Sequence, residues 1–282
     1  MMVKLVETNK EFKNLYGKIL SDYEAEMQLF SQNLIVDYKI DKVHIRGAVY
    51  NQRGDLALLF LNANPFKLLL FGINNSLETS KELADYIKSE EVEIKGILGS
   101  ENDTALFIQG YGDNFLPGMR MDIMKLNQLN NLKIRGKLNK PTESDLDFIK
   151  SGFREFQEEV IGRFSDEEFI NKKALEYLES PGFFLYQNED GVKTSFAHLK
   201  KRTEKGLTVS LVYTFKEYRC RGYAKEMINL LCAYGLRNAE YITLFVDQTN
   251  PISNKVYLDN GFQIIRENIE YHFVKKESYG LN

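Results

Sequence analysis

One junction restricts the fold of this chain more than any other part of it. An apolar run, 207–215, is followed by a short basic turn and then by a segment from Gly222 to about 238. In that segment Tyr223, Met227, Leu230, Leu231 and Tyr234 recur on one face at helical spacing. A second apolar run, 241–246, comes next. A buried strand, a tight turn, an amphipathic helix and another buried strand in succession define a mixed α/β domain.

The surrounding sequence extends the same pattern. A strand near 137–140 comes first, Pro141 follows, and Thr142 with Asp145 three residues on reads as a helix cap. The helix is expected over 143–161. A second is expected from Ser165, paired with Glu168 in a capping box, to about 179. Runs 183–187 and 192–200 read as a hairpin around Asn188-Glu189-Asp190-Gly191. A short helix is expected over 251–259, and two strands, 262–265 and 271–274, close the domain.

The first half is less regular. Phe12, Leu15, Tyr16 and Leu20 share a helical face, and a second helix is expected over about 23–34. Strands are expected at 43–50, 56–61, 66–71, 94–98 and 119–126, with helices at 80–89 and 103–108. The segment 127–140, rich in Asn, Lys and Gly, reads as a seam. The expected domains are 1–130 and 131–282, with no visible self-similarity between them.

Composition excludes several classes. The 282 residues carry 37 basic and 40 acidic side chains, a formal charge of -3, so the basic excess of a nucleic-acid binder is missing. The longest apolar stretch, 56–61, is far shorter than the roughly 20 residues that span a bilayer. Cys220 and Cys232 form neither a disulfide scaffold nor a zinc site with His, and no metal is expected. With no signal-peptide core at the N-terminus, the expectation is a reducing, cytoplasmic location and neither a nucleic-acid nor a membrane partner.

The turn reads Glu217-Tyr218-Arg219-Cys220-Arg221-Gly222-Tyr223-Ala224-Lys225. A helix N-terminus offers unpaired N–H groups and the positive end of the helix dipole. Gly222 lets the backbone approach a bulky anion, Ala224 leaves the first turn uncrowded, and Arg219, Arg221 and Lys225 add positive charge. These features suit a pyrophosphate. Neither Walker spacing nor the dinucleotide glycine fingerprint is present. Further on, Asn250 suits an N-cap before Pro251, and Asn250, Asn254 and Tyr257 fall on one side of the helix.

Arg219-Cys220-Arg221-Gly222-Tyr223-Ala224, the strand before it, and Asn250 to Gly261-Phe262 together resemble the GNAT superfamily of N-acyltransferases. The run Leu244-Phe245-Val246-Asp247 before Asn250-Pro251 is most similar to predicted bacterial acetyltransferases related to the glycine N-acyltransferases. The resemblance implies a C-terminal acyl-CoA fold, preceded by a smaller α/β domain that suits a degenerate GNAT-like unit. It implies acetyl-CoA as acyl donor. Val212, Tyr213 and Thr214 would present backbone groups to the pantetheine arm, Cys220 to Lys225 would hold the pyrophosphate, and Asn250 and Asn254 would bond the arm. Tyr257 would lie near the sulfur as the catalytic hydrogen donor.

An alkyl amine with a pKa near 10.4 must lose a proton before it attacks, and a thiolate near 8.5 leaves better when a proton meets it. The implied reaction is direct acyl transfer to an amine of a small molecule, amino acid or peptide, by a monomer or homodimer. The strand 207–215 carries no carboxylate, so Glu155, Glu158, Glu159, Glu217, Asp247, His198 or a relayed water remain as candidate bases. Cys220 has no His nearby in sequence to activate it as a nucleophile. The competing class is a non-catalytic acyl-CoA-binding regulatory module.

Overall fold

A computed structural model describes residues 2–34, 45–62, 67–112, 115–162 and 164–274. It divides into two compact units: Met1–Ile123 with Asp247–Thr249 and Ile264–Asn282, and Met124–Val246 with Asn250–Gln263. The division falls before the polar seam, and the end of the chain groups with the first unit. Local sequence pattern cannot reveal which unit a terminal strand joins.

The first unit runs β1 (Met2–Leu5), α1 (Asn9–Asp22), α2 (Gln28–Asn33), β2 (Arg46–Tyr50), β3 (Leu56–Asn62), β4 (Leu68–Gly72), α3 (Leu77–Ser89), β5 (Gly96–Gly99), α4 (Glu101–Tyr111) and β6 (Phe115–Leu126), whose last residues belong to the second unit. β1 to β4 pair antiparallel, β4 and β5 pair parallel, and the C-terminal strand Gln263–Phe273 pairs antiparallel with β5. β3 is apolar at successive positions because both of its faces are covered. Leu59 and Leu61 pack with Phe12 and Phe30, whereas Leu58 and Phe60 pack with Leu83 and Phe107. The expected strand residues 43, 44 and 66 and the turn residues 63–65 lie outside the described residues.

The second unit runs β7 (Lys137–Asn139), α5 (Leu146–Phe156), α6 (Glu167–Glu179), β8 (Phe183–Gln187), β9 (Lys193–Lys201), β10 (Gly206–Thr214), α7 (Tyr223–Gly235), β11 (Tyr241–Asp247), α8 (Pro251–Asn260) and the start of β12 (Gln263–Phe273). The order β11-β10-β9-β8-β7 is antiparallel except for β10 and β11, which run parallel across the α7 crossover. Met227, Leu231, Tyr257 and Phe262 cover one face, and Ile149 and Ala174 of α5 and α6 cover the other. Gly152 lets α5 sit close to that face, since a Cβ there would meet the Phe196 ring at 2.4 Å.

Three local expectations change. The 143–161 helix is composite: a 3-10 turn capped by Thr142, then α5, then a π-helical turn, Gln157–Ile161, ended by Gly162 at φ 69°. The cap of α6 is Asp166, which accepts from Phe169 N, and not Ser165; both residues are competent cappers and their order alone does not choose. The two closing strands are one, β12. Both units follow the order β-α-α-β-β-β-α-β-α-β, in keeping with the expected GNAT-like first unit.

Candidate functional site

The site begins where β10 leaves its neighbours. Its parallel pairing with β11 is registered over Gly206, Thr208 and the residue between them. Its pairing with β9 passes from Ser210 opposite His198 to Tyr213 opposite Phe196. Leu211 and Val212 therefore face the single residue Ala197, which is a β-bulge, and Leu211 takes φ 51°. The bulge bends β10 and opens a cavity of about 340 Å3 in the second unit. Val212, Tyr213, Thr214, Arg219, Cys220, Gly222, Tyr223, Ala224, Lys225, Asn250 and Tyr257 all line it. Arg221 and Asn254 do not. Arg221 donates to the Glu217 carbonyl, and Asn254 donates to the Asn250 carbonyl one helical turn back. Sequence spacing put both on the expected side but could not show that their side chains bond their own backbone.

The turn into α7 enters the left-handed backbone region at Cys220 (φ 60°) and at Gly222 (φ 86°). Gly222 is required for its φ and not for space, since the nearest atom to a Cβ there is 3.6 Å away. The first intrahelical bond is Glu226 N to the Gly222 carbonyl, so the N–H groups of Tyr223, Ala224 and Lys225 precede the helical ladder and face the anion side of the turn. Glu226 braces the turn from beneath. It is buried and accepts from Arg135 N and Nε, from Gly136 N, and from the Tyr186 hydroxyl at 2.7 Å. Arg135 Nη2 also donates to the Arg221 carbonyl at 2.7 Å. Despite burial, these donors hold the Glu226 carboxyl below its usual range. Sequence reasoning missed this brace, because Arg135 lies far from Glu226 along the chain.

Arg219 is not free to meet a ligand as it stands. Its Nη1 and Nη2 donate to the two Glu159 oxygens at 2.6 and 2.9 Å, and its Nε donates to the Thr214 carbonyl. The Arg219 partner pulls the Glu159 carboxyl below its ordinary value. The Tyr213 hydroxyl donates to Glu155 at 2.9 Å.

Tyr257 lies on α8, whose N-cap Asn250 accepts from Ser253 N with Pro251 in the first turn. Its ring is 7% exposed and packs edge-on against Phe262. Burial, with the buried Cys232 thiol beside it, raises its hydroxyl above the ordinary tyrosine value. The hydroxyl stays protonated. Among the described residues no group bonds to it.

The candidate bases are dispersed. Glu155 and Glu159 are engaged as above, Glu158 and Glu217 are exposed, and Asp247 accepts from Thr249. His198 is buried, with Nε2 2.8 Å from the Ser180 hydroxyl, and burial with nearby Lys200, Lys140 and Arg202 lowers it to about 4. Among the described residues no group of three His, Cys, Asp or Glu side chains is placed to hold a metal, and no helix is long and apolar enough to cross a membrane.

In the first unit the corresponding turn, between β4 and α3, differs. Ser76 and Thr79 form a capping box and Glu78 occupies the first turn. That helix end satisfies its own N–H groups and presents negative charge, which disfavours an anion.

A splayed parallel pair of strands, with an uncapped basic helix N-terminus at its open end, forms a cleft suited to an extended ligand that carries an anionic group. Residues 149–262 match the Acetyltransferase (GNAT) family, and that segment is a GNAT domain. No curated protein matches the sequence. Among solved structures, a GNAT-family acetyltransferase from Colwellia psychrerythraea is 14% identical with a TM-score of 0.58, over 97% of this chain and 100% of that one. A GCN5-related N-acetyltransferase from Sphaerobacter thermophilus is 14% identical with a TM-score of 0.56, over 90% and 84%. A tandem GNAT protein from the clavulanic acid biosynthesis pathway is 9% identical with a TM-score of 0.54, over 96% and 98%. At these identities the likeness is one of fold, and the tandem protein is consistent with a GNAT-like first unit. Family and fold together support an acyl-CoA-dependent acetyltransferase.

Proposed function

We propose that the second unit transfers an acetyl or short acyl group from acyl-CoA directly to an amine of a small molecule, amino acid or peptide. The observation that carries this reading is the single cavity that gathers the β10 bulge, the uncapped N-terminus of α7 and Tyr257. The N–H groups of Tyr223, Ala224 and Lys225 take the pyrophosphate. Val212, outside the regular β9 register, offers its backbone to the pantetheine arm as an added strand does. Asn250, with its side-chain oxygen committed to the cap, lines the arm's path.

In this reading the donor supplies the thioester and the chain supplies position. Attack by the neutral amine gives a tetrahedral adduct whose C–S bond breaks. The electron pair leaves on sulfur, where the Tyr257 hydroxyl meets it with a hydrogen bond. The raised Tyr257 value makes hydrogen bonding, not full proton transfer, its contribution. The amine's proton passes to water, since β10 bears no carboxylate. The likeness of 244–254 to the branch related to the glycine N-acyltransferases favours a small amine acceptor.

A second reading, a binding-only acyl-CoA module, draws on the same missing carboxylate. Release of free thiol from acetyl-CoA, followed across a panel of amines, separates them. Acceptor-dependent release supports transfer; saturable binding with no release by any amine supports the module.

A further inference from the structure

Glu159 stands in an anion-binding shell. Besides the Arg219 fork, Lys216 Nζ lies 3.8 Å from it and the Tyr213 hydroxyl 3.4 Å. It also lines the same cavity as Cys220, Gly222, Tyr223, Ala224 and Lys225. A carboxylate that stayed there would repel a pyrophosphate held by those residues. An Arg fork accepts carboxylate and phosphate with the same two-pronged geometry. The pair is about one third exposed on both sides, so water can take over its partners when it opens.

The segment that carries Glu159 is suited to move. Gln157–Ile161 is a π-helical turn on the end of α5, released at its far side by Gly162 in the left-handed region. Such turns are rare, and they are frequent at functional sites. Relaxation of this turn to α-helical geometry turns its residues about the helix axis, which takes Glu159 off Arg219.

We propose that Glu159 is an intramolecular stand-in for the donor's pyrophosphate: it neutralises the Arg219–Lys216 corner in the free chain, and acyl-CoA displaces it. This rests on the acyl-donor reading of the cavity. Arg219 is then a phosphate ligand only after the exchange, and the Gln157–Ile161 turn is released as the donor binds.

Calorimetric titration of acetyl-CoA into the full chain, Glu159→Gln and Glu158→Gln tests this at low ionic strength. Glu158 is exposed and does not line the cavity. The expected result is binding about fivefold tighter for Glu159→Gln, as the loss of a partly exposed ion pair allows, and within about twofold of wild type for Glu158→Gln. Hydrogen exchange on the wild type supplies a second measurement. Amides of 157–162 should exchange faster with acetyl-CoA, while those of 223–226 slow. Unchanged or weaker binding by Glu159→Gln, equal tightening by Glu158→Gln, or no faster exchange at 157–162 overturns the stand-in and leaves the donor site intact. Absence of binding by the wild type overturns the donor site and the stand-in with it.

Discussion

Tyr257→Phe removes one oxygen from a side chain that is 7% exposed. Two consequences of different sign can be worked out. In the proposed transfer the hydroxyl meets a sulfur that is gaining charge, and a hydrogen bond to a charged group contributes about 1.5–3 kcal/mol. At about 1.4 kcal/mol per tenfold, kcat should fall roughly 10- to 150-fold. In the ground state the hydroxyl bonds no described group, so its loss strands no partner. Unfolding free energy should stay within about 0.5 kcal/mol of wild type or rise slightly. KM for acetyl-CoA should change little, because the contact strengthens only as the C–S bond breaks. The assay is steady-state thiol release from pH 6 to 9, beside urea denaturation. A kcat equal to wild type across that range refutes the role given to Tyr257. A kcat loss matched by a large loss of stability would make the residue a packing element.

Glu226→Ala strands Tyr186 and the N–H groups of Arg135 and Gly136 and should cost about 3 kcal/mol. A midpoint shift in urea checks it, and a change within 0.5 kcal/mol (about the noise of such fits) would remove the brace. His198 is held at about 4 against 6.5 for the free side chain, so the unfolded chain binds its proton first. Stability from this residue is full above pH 6.5 and falls by about 1.4 kcal/mol for each pH unit down to pH 4. Urea midpoints measured between pH 7 and 4 should fall less steeply in His198→Asn than in wild type; parallel curves would contradict the assignment. In the first unit, Ser76→Ala should lower stability by about 1 kcal/mol and leave acetyl-CoA affinity unchanged, checked by urea denaturation and titration, because the turn it caps lies outside the proposed acyl-CoA site.

Much of the second unit was legible because local signals agreed there. The apolar run ending in Thr214, the Gly222 turn and the stripe from Tyr223 to Tyr234 each pointed to the same strand–turn–helix. Val212, Gly222, Ala224 and Tyr257, which the resemblance singled out, line one cavity. What escaped was set by tertiary contact. The bulge at Leu211 and Val212 has no glycine to announce it. Glu159 read only as one of several candidate bases; its place on Arg219 depends on the π-helical turn. Val160 and Ile252, 55% and 77% exposed, line the cavity although nothing in their spacing marks them. The GNAT-like first unit came from the resemblance and not from self-similarity of the halves, because two sequences can share a fold while sharing few residues at equivalent places.

The most direct measurement is calorimetric titration of acetyl-CoA into the full chain and into Ala224→Glu. A glutamate in the first turn of α7 favours the helix through its dipole, so folding should persist while bulk and charge enter the pyrophosphate site. Saturable binding of order micromolar, about -8 kcal/mol, by the wild type and at least a hundredfold loss in the variant (about 2.7 kcal/mol) is the expected result. Equal binding by both proteins, or none by a folded wild type, would contradict the claim that the N-terminus of α7 holds an acyl-CoA.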